Sequence, residues 1–242
     1  MPFKRTWDAT CPRIWDRFEK DGRTYVIQDI PPEDDEGAIK TLVEHLCADE
    51  PLCKLSGEDE ESVDSISQFW RESLSQRMSL GCYTEVEGKQ SLVAINVCVV
   101  DSLEEKFPTT PVIFTRFIVD LQIKGVAWNN VFYAMDYLEA RCDPFEYLKL
   151  GVVLHAYGLV VVREFRGAKL GAKLMNAREP LALAHGLKAT VTVFTGPASQ
   201  SLAARCGFTT IQEATLKEIA EAGHKYPKTD HVLKLMVKKF DN

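Results

Sequence analysis

LHAYGLVVVREFRGAKLGAKLMNAR, Leu154 to Arg178, is the stretch whose reading decides the fold. The β-branched run Gly158-Leu159-Val160-Val161-Val162 stops at the charged pair Arg163-Glu164. The chain then turns through Phe165-Arg166-Gly167-Ala168-Lys169-Leu170-Gly171 and continues with helical spacing. This is a strand, a basic glycine-containing turn and a helix. A helix entered this way points unpaired backbone N–H groups out of its first turn, and its dipole adds partial positive charge there. Together they form a site for an anion, most often phosphate. Arg166, Lys169 and Lys173 add three cations beside it. Neither the P-loop pattern nor the G-x-G-x-x-G dinucleotide pattern is present.

The 242 residues allow one large domain or two small ones, with room for a sizeable core. Hydrophobic residues make up 45% and charged residues 26%, as in ordinary globular proteins. A formal net charge of −6 argues against a nucleic-acid binder. The seven cysteines are scattered, odd in number and without C-x-x-C, so neither a disulfide framework nor a zinc site is expected. A reducing compartment fits them best. The N-terminus lacks the apolar core of a signal peptide, and no apolar run approaches the length of a membrane span. The expectation is a soluble, cytoplasmic monomer that meets neither membrane nor nucleic acid.

Outward from the central stretch, helical and extended patterns alternate, which predicts an α/β or α+β fold around one mixed sheet. Residues 1–22, polar with Trp7 and Trp15, read as an extension lying over the domain. Thr24 to Ile30 reads as a strand, and Pro31-Pro32-Glu33-Asp34 as the start of a helix that ends near Asp49-Glu50-Pro51. Ser56 to Ser65 reads as a loop before a helix over Ile66 to Leu80. Cys82 to Glu87 and Ser91 to Val100 form an expected hairpin, with residues 101–111 a polar loop and 112–120 ambiguous. Asn129 to Arg141 is an expected helix, broken at Asp143-Pro144. Lys188 to Thr195 should be a strand, Ser199 the start of a short helix, and Thr209 to Leu216 and His231 to Lys239 the last two strands.

The turn Arg166 to Gly171, R-G-A-K-L-G, resembles the R-G-x-G-[IL]-[GA] pyrophosphate loop of the GNAT-type N-acetyltransferases. The segment ATVTVFTGPASQSLAARCGF, Ala189 to Phe208, and the motif Asp49-Glu50-Pro51-Leu52 resemble the insect arylalkylamine N-acetyltransferase-like branch. The resemblance spans roughly residues 24 to 240. It implies a single domain over 23–242, with a mostly antiparallel sheet of about seven strands, splayed near 159–162 and 190–195. It implies acetyl-CoA as co-substrate, held by Val160, Val161, Val162, Arg166, Gly167, Ala168, Lys169, Leu170, Gly171 and Ala172, with no metal. Lys169 departs from the family, which has glycine there. It is either a surface lysine or an extra cation for the pyrophosphate or 3′-phosphate.

The implied reaction moves an acetyl group from a thioester to an amine. A free alkylamine has a pKa of ~10, so a base must remove a proton. By resemblance that base is Glu50, with Asp49 and Glu33 as rivals read as surface caps. Many members of the superfamily supply an acid from a tyrosine in the last short helix, and that position is Ala203 here. The insect branch carries two serines instead, which map onto Thr195 and Ser199; Ser199 also suits a helix N-cap. A backbone N–H around Val160 or Val161 would meet the oxyanion. Trp128, Phe132, Phe145, Tyr147 and Phe194 are candidates for an aromatic-amine pocket and equally for core. Each of the five histidines reads as structural or exposed. The substrate class stays open between arylalkylamines (dopamine, tyramine, serotonin, tryptamine) and polyamines or agmatine. A longer-chain acyl-CoA donor and a non-catalytic coenzyme A binder are the further alternatives.

Overall fold

The computed structural model describes residues 3–57, 59–103 and 123–240. Eight strands form one open sheet: β1 (Ile14–Lys20), β2 (Arg23–Asp29), β3 (Leu80–Val86), β4 (Lys89–Ser102), β5 (Val152–Val161), β6 (Ala189–Phe194), β7 (Thr209–Thr215) and β8 (Val232–Lys239). Their order is β1-β2-β3-β4-β5-β6-β8-β7. Neighbours pair antiparallel except β5 with β6, which run parallel. Among the described residues the sheet has eight strands, in line with the about seven expected. The eighth, β1, lies in the stretch read as an extension. Its sequence IWDRFEK is mostly polar because it is an edge strand, paired on one side only and partly solvated. Trp15 of β1 donates its indole N–H to Asp29 Oδ1 at 2.8 Å. The same carboxylate takes both terminal nitrogens of buried Arg5 at 2.8 Å.

Helices cover both faces. On one lie α1 (Asp35–Thr41), α2 (Pro51–Ser56), α3 (Glu60–Ser75), α4 (Val126–Glu139) and α5 (Pro144–Leu148). The other face is covered by α6 (Leu170–Ala184), with α7 (Pro197–Arg205) capping a smaller cluster beside it. A further short helix, α8 (Leu216–Glu221), follows β7. The first helix ends as read: its last turn, Leu42–Cys47, stops before Asp49 and Glu50 is extended, and Pro51 opens α2, where proline's missing N–H costs no helical bond. Other boundaries shift. The loop read over Ser56 to Ser65 gives Glu60 onward to α3, which ends at Ser75, and Leu80 starts β3. The short helix after β6 starts at Pro197 with Gly196 as its cap, so Ser199 lies inside it. The polar loop read over 101–111 gives its first two residues to β4, and 104–122, including the ambiguous run 112–120, lie outside the described residues.

The feature that positions the site is a β-bulge in β5. Asn96 of β4 pairs with Leu159, and Cys98 pairs with Ala156. Tyr157 and Gly158 therefore stand opposite the single residue Val97. The extra residue switches the faces of the strand. Before it, Val153 and Tyr157 join the core under α1–α5, and Leu154 and Ala156 the core under α6. After it, Val160 faces the first core and Leu159 and Val161 the second. The bulge also turns β5 away from β6. Only Leu154↔Thr190 and His155↔Val191 remain paired, and the upper halves of the two strands diverge into an open gap.

Gly158 has φ of 137°, a conformation a side chain strains, and an added Cβ would meet Leu46 Cδ2 at 3.1 Å. Gly158→Val is expected to destabilise the fold by on the order of 1–3 kcal/mol. Urea unfolding checks this; an unchanged midpoint would mean that the bulge tolerates a side chain.

Candidate active site

The gap between β5 and β6 opens into a cleft of about 730 Å³. Two walls of different character line it. On the α1–α4 side they are aromatic: Phe69, Trp70, Trp128 and Tyr157, all nearly buried. Phe69 packs edge-on against Tyr157 with ring centres 5.3 Å apart and lies 5.5 Å from Trp128. The Trp70 indole N–H donates to the Tyr157 carbonyl at 3.0 Å, fixing the wall to the bulge. Of the expected aromatic residues, Trp128 and Phe194 line the cleft. Phe132 packs behind Trp128, Phe145 belongs to the core, and Tyr147 is half exposed. Phe69 and Trp70 belong at once to the buried face of α3 and to the cleft wall.

The other wall is the loop from Arg163 to Gly171. Arg166, Gly167, Lys169, Leu170 and Gly171 line the cleft, as do Val160 and Val161. Val162, Ala168 and Ala172 do not: the Val162 N–H is bonded to the Val93 carbonyl at 3.0 Å, and Ala168 is packed into the core beneath α6. Lys169 answers why glycine is usual at its place. Its φ is 61°, left-handed, and it caps α6 with an exposed side chain. The backbone keeps the glycine conformation and carries the lysine, at some strain. Lys173 is not beside the loop's ligand face. Its ammonium is paired to Asp16 of β1 at 2.9 Å and lies 4.5 Å from the Phe18 ring centre.

Antiparallel pairing fixes which amides face the gap. Since the Val162 N–H points to β4, so does that of Val160 two residues earlier. The free amides are those of Leu159 and Val161. The Val161 carbonyl points the same way and accepts from Arg166 Nε at 3.1 Å.

Across the cleft, Glu50 caps α2. Its Oε2 accepts the Cys53 N–H at 2.6 Å, while its Oε1 is buried with no hydrogen-bond partner. One oxygen is therefore held by the backbone and the other is not. Asp49 is differently engaged. It takes Arg163 at 2.8 Å and Arg166 at 2.6 Å, and these guanidinium groups hold its carboxyl at about 2, below the usual range. Among the described residues these are the carboxylates that line the cleft. Glu33 sits at the first turn after β2, away from the cleft.

Thr195 and Ser199 both line the cleft on the β6–α7 side. The Thr195 carbonyl lies 2.6 Å from His231 Nε2. The Ser199 hydroxyl donates to the Gly196 carbonyl at 2.9 Å, so it does not cap the helix, and Gly196 holds that place. Ala203 is fully buried among Met175, Phe194 and Phe208 and does not reach the cleft. Two residues stand out from the sequence reading. His45, half-buried, lines the cleft. Arg178, which had no assigned role, is buried at the cleft's floor; its signal was a charged residue on the stripe of Leu174 and Leu181.

Residues 137–208 match the model of the acetyltransferase (GNAT) family. The structure is similar to a crystal structure described as arylalkylamine N-acetyltransferase 7 of the yellow fever mosquito Aedes aegypti. The TM-score is 0.86 at 27% identity, over 99% of this chain and 100% of that one. It is also similar to arylalkylamine N-acetyltransferase 2 of Aedes aegypti, with a TM-score of 0.75 at 19% identity over 90% and 99% of the two chains. The polyamine N-acetyltransferase of Drosophila melanogaster, an enzyme that forms N-acetylagmatine, matches with a TM-score of 0.73 at 18% identity, over 89% and 100%. A search of curated protein sequences returned no match.

Two substitutions separate the cations of the loop. Lys169→Gly is expected to leave stability unchanged or raise it by up to about 1 kcal/mol, while weakening coenzyme A binding. Asp49→Asn frees Arg166 and removes a negative charge, and should tighten that binding by up to about fivefold, the scale of an exposed ion pair. Thermal melts and calorimetric titration check both.

Proposed function

We propose that this chain, which carries a GNAT acetyltransferase domain, acetylates the primary amine of an arylalkylamine such as dopamine, tyramine, serotonin or tryptamine. The acetyl group would pass directly from acetyl-CoA to the amine. The observation that carries the substrate class is the aromatic wall of Phe69, Trp70, Trp128 and Tyr157 opposite the phosphate-type loop. A polyamine or agmatine would require more anionic charge. Of the two cleft carboxylates among the described residues, Asp49 is committed to Arg163 and Arg166. We read residues 23–242 as one domain, with 1–22 a segment laid along its edge. Cysteines odd in number and without a C-x-x-C pair suit a cytoplasmic setting.

The division of labour follows from the geometry. Gly167 to Gly171 and the start of α6 offer backbone N–H groups and dipole to the pyrophosphate, with Arg166 and Lys169 as counter-charges. The pantetheine arm lies in the gap, taking the edge of β5 that the bulge leaves unpaired. The amine enters along the aromatic wall, where an aryl group replaces water at little cost. Glu50 Oε1 takes the ammonium proton, directly or through water. The nitrogen attacks the thioester carbon, and the Leu159 or Val161 N–H meets the oxygen that becomes negative. The C–S bond then breaks, the sulfur leaves with its electron pair, and the acylated nitrogen gives up its second proton to the thiolate or to solvent, leaving the neutral amide. Thr195 and Ser199, which line the cleft, would hydrogen-bond substrate or coenzyme A; neither is needed as an acid, because a thiol of pKa roughly 8.5 leaves readily as thiolate.

Thiol release from acetyl-CoA against tyramine, dopamine, serotonin, histamine, agmatine and spermidine tests the reading. Turnover confined to the aryl group is expected; turnover of agmatine and spermidine alone would overturn the substrate class. Glu50→Gln should lower kcat/KM by roughly 10²–10⁴-fold at neutral pH, with partial recovery as pH rises and free amine accumulates. Unchanged kcat/KM would remove Glu50 as the base.

A further inference from the structure

Arg178 carries a charge that the protein does not neutralise. It lies on α6 between Leu174 and Leu181 and is 1% exposed. Burying a guanidinium costs several kcal/mol unless a partner compensates it, and proteins ordinarily supply a carboxylate. Among the described residues no carboxylate pairs with Arg178. Its contacts are neutral. Nε donates to Asn96 Oδ1 at 2.6 Å, Nη1 donates to Thr192 Oγ1 at 2.9 Å, and the guanidinium carbon lies 5.6 Å from the Phe208 ring centre.

These contacts place the group with some accuracy. Asn96 is on β4 and donates its own amide N–H to the Gly158 carbonyl at the bulge, at 2.8 Å. Thr192 is on β6, one residue past the last β5–β6 pair. The guanidinium is thus tied to both sides of the gap at the level where the strands part, and it forms part of the cleft's floor. The surrounding ionisable groups do not cancel it. Cys98 of β4 and Cys206 after α7 face it, and burial pushes the first to about 11 and raises the second, so both stay neutral thiols. Lys238 and Glu179 pair with each other at 3.0 Å. Glu50 lies across the cleft at α2. Burial pulls the Arg178 pKa down from its ordinary value, the mark of a cation held without counter-charge.

We propose that Arg178 is a catalytic residue whose guanidinium holds the sulfur of coenzyme A as it leaves. This rests on the acetyl-CoA reading above. When the C–S bond breaks, its electron pair becomes a thiolate at the base of the gap, and Arg178 balances that charge. The ammonium proton stays on Glu50 until it passes to solvent or to the sulfur. An interaction that strengthens only as charge develops on sulfur favours the transition state over the bound thioester.

The test reads the thiol of coenzyme A bound to the protein, by its far-ultraviolet thiolate absorbance across pH. With the wild type the thiolate should appear at least about one pH unit below free coenzyme A, because a nearby cation favours the charged form. Arg178→Lys should keep most of this shift and Arg178→Met should abolish it. Wild type should bind coenzyme A about tenfold more tightly than desulfo-coenzyme A at pH 8, and Arg178→Met should bind both alike. A purely structural arginine would change stability and leave the thiol titration where it is. If Arg178→Met fails to fold, wild type and Arg178→Lys decide the matter. Binding of coenzyme A to wild type with an unshifted thiol would overturn the role of Arg178 alone. No binding at all would overturn the site and with it this proposal.

Discussion

Tyr157 and Gly158 of β5 occupy the place opposite one residue of β4, Val97, and the site depends on that mismatch. A regular strand would continue its ladder with β6 to the end. The bulge instead turns β5 away after two pairs, and leaves the amides of Leu159 and Val161 without a strand partner. Unpaired backbone N–H groups away from water are costly, so such an edge is retained where a ligand satisfies them. The same residues build the cleft's sides. The Tyr157 ring belongs to the aromatic wall, its carbonyl holds Trp70, and the Gly158 carbonyl holds Asn96, which in turn holds Arg178. One backbone irregularity thus sets the gap, the aromatic wall and the buried cation together.

Charge is distributed by depth. At the rim, Arg163 and Arg166 are shared with Asp49, in pairs open enough to solvent to exchange partners at small cost. At the floor, Arg178 has exchanged water for two neutral acceptors and has nowhere to go. Between them Glu50 keeps one oxygen bonded to the backbone and one free. This order suits a ligand whose phosphates are solvated and whose reacting end is dry. On the proposed reading, a phosphate would displace Asp49 from Arg166 at the surface, while the thioester would meet groups that are already fixed. Fixed dipoles and charges are the form of electrostatic assistance that needs no reorganisation during reaction.

Much of this was legible in the residues. The run Leu159 to Val162 followed by Arg166 to Gly171 gave the strand, turn and helix in order, because β-branched runs, glycine turns and helical spacing are local signals. The place of Glu50 in the cleft was legible only through a motif, since nothing local distinguishes a helix-end glutamate. What escaped was not local. IWDRFEK shows too little apolar alternation to be read as a strand, because an edge strand buries little. Lys173 looked like part of the phosphate site until Asp16, 157 residues earlier, was seen to hold it. Phe69 and Trp70 sit on the buried face of α3, and the same face forms both core and cleft wall, a distinction no helical pattern contains. The one residue that broke its pattern, Arg178 on the apolar stripe of α6, carried a signal that the sequence reading did not use.

The most direct test of the central claim, that the gap between β5 and β6 is an acyl-CoA site, is a crystal structure of the protein with coenzyme A. The account predicts the pantetheine arm between the diverged strands, hydrogen-bonded to the Leu159 and Val161 amides. Its pyrophosphate should lie on the amides of Gly167 to Gly171 and its sulfur within reach of Arg178. Coenzyme A found elsewhere, or a β5–β6 ladder zipped shut beneath it, would contradict the account.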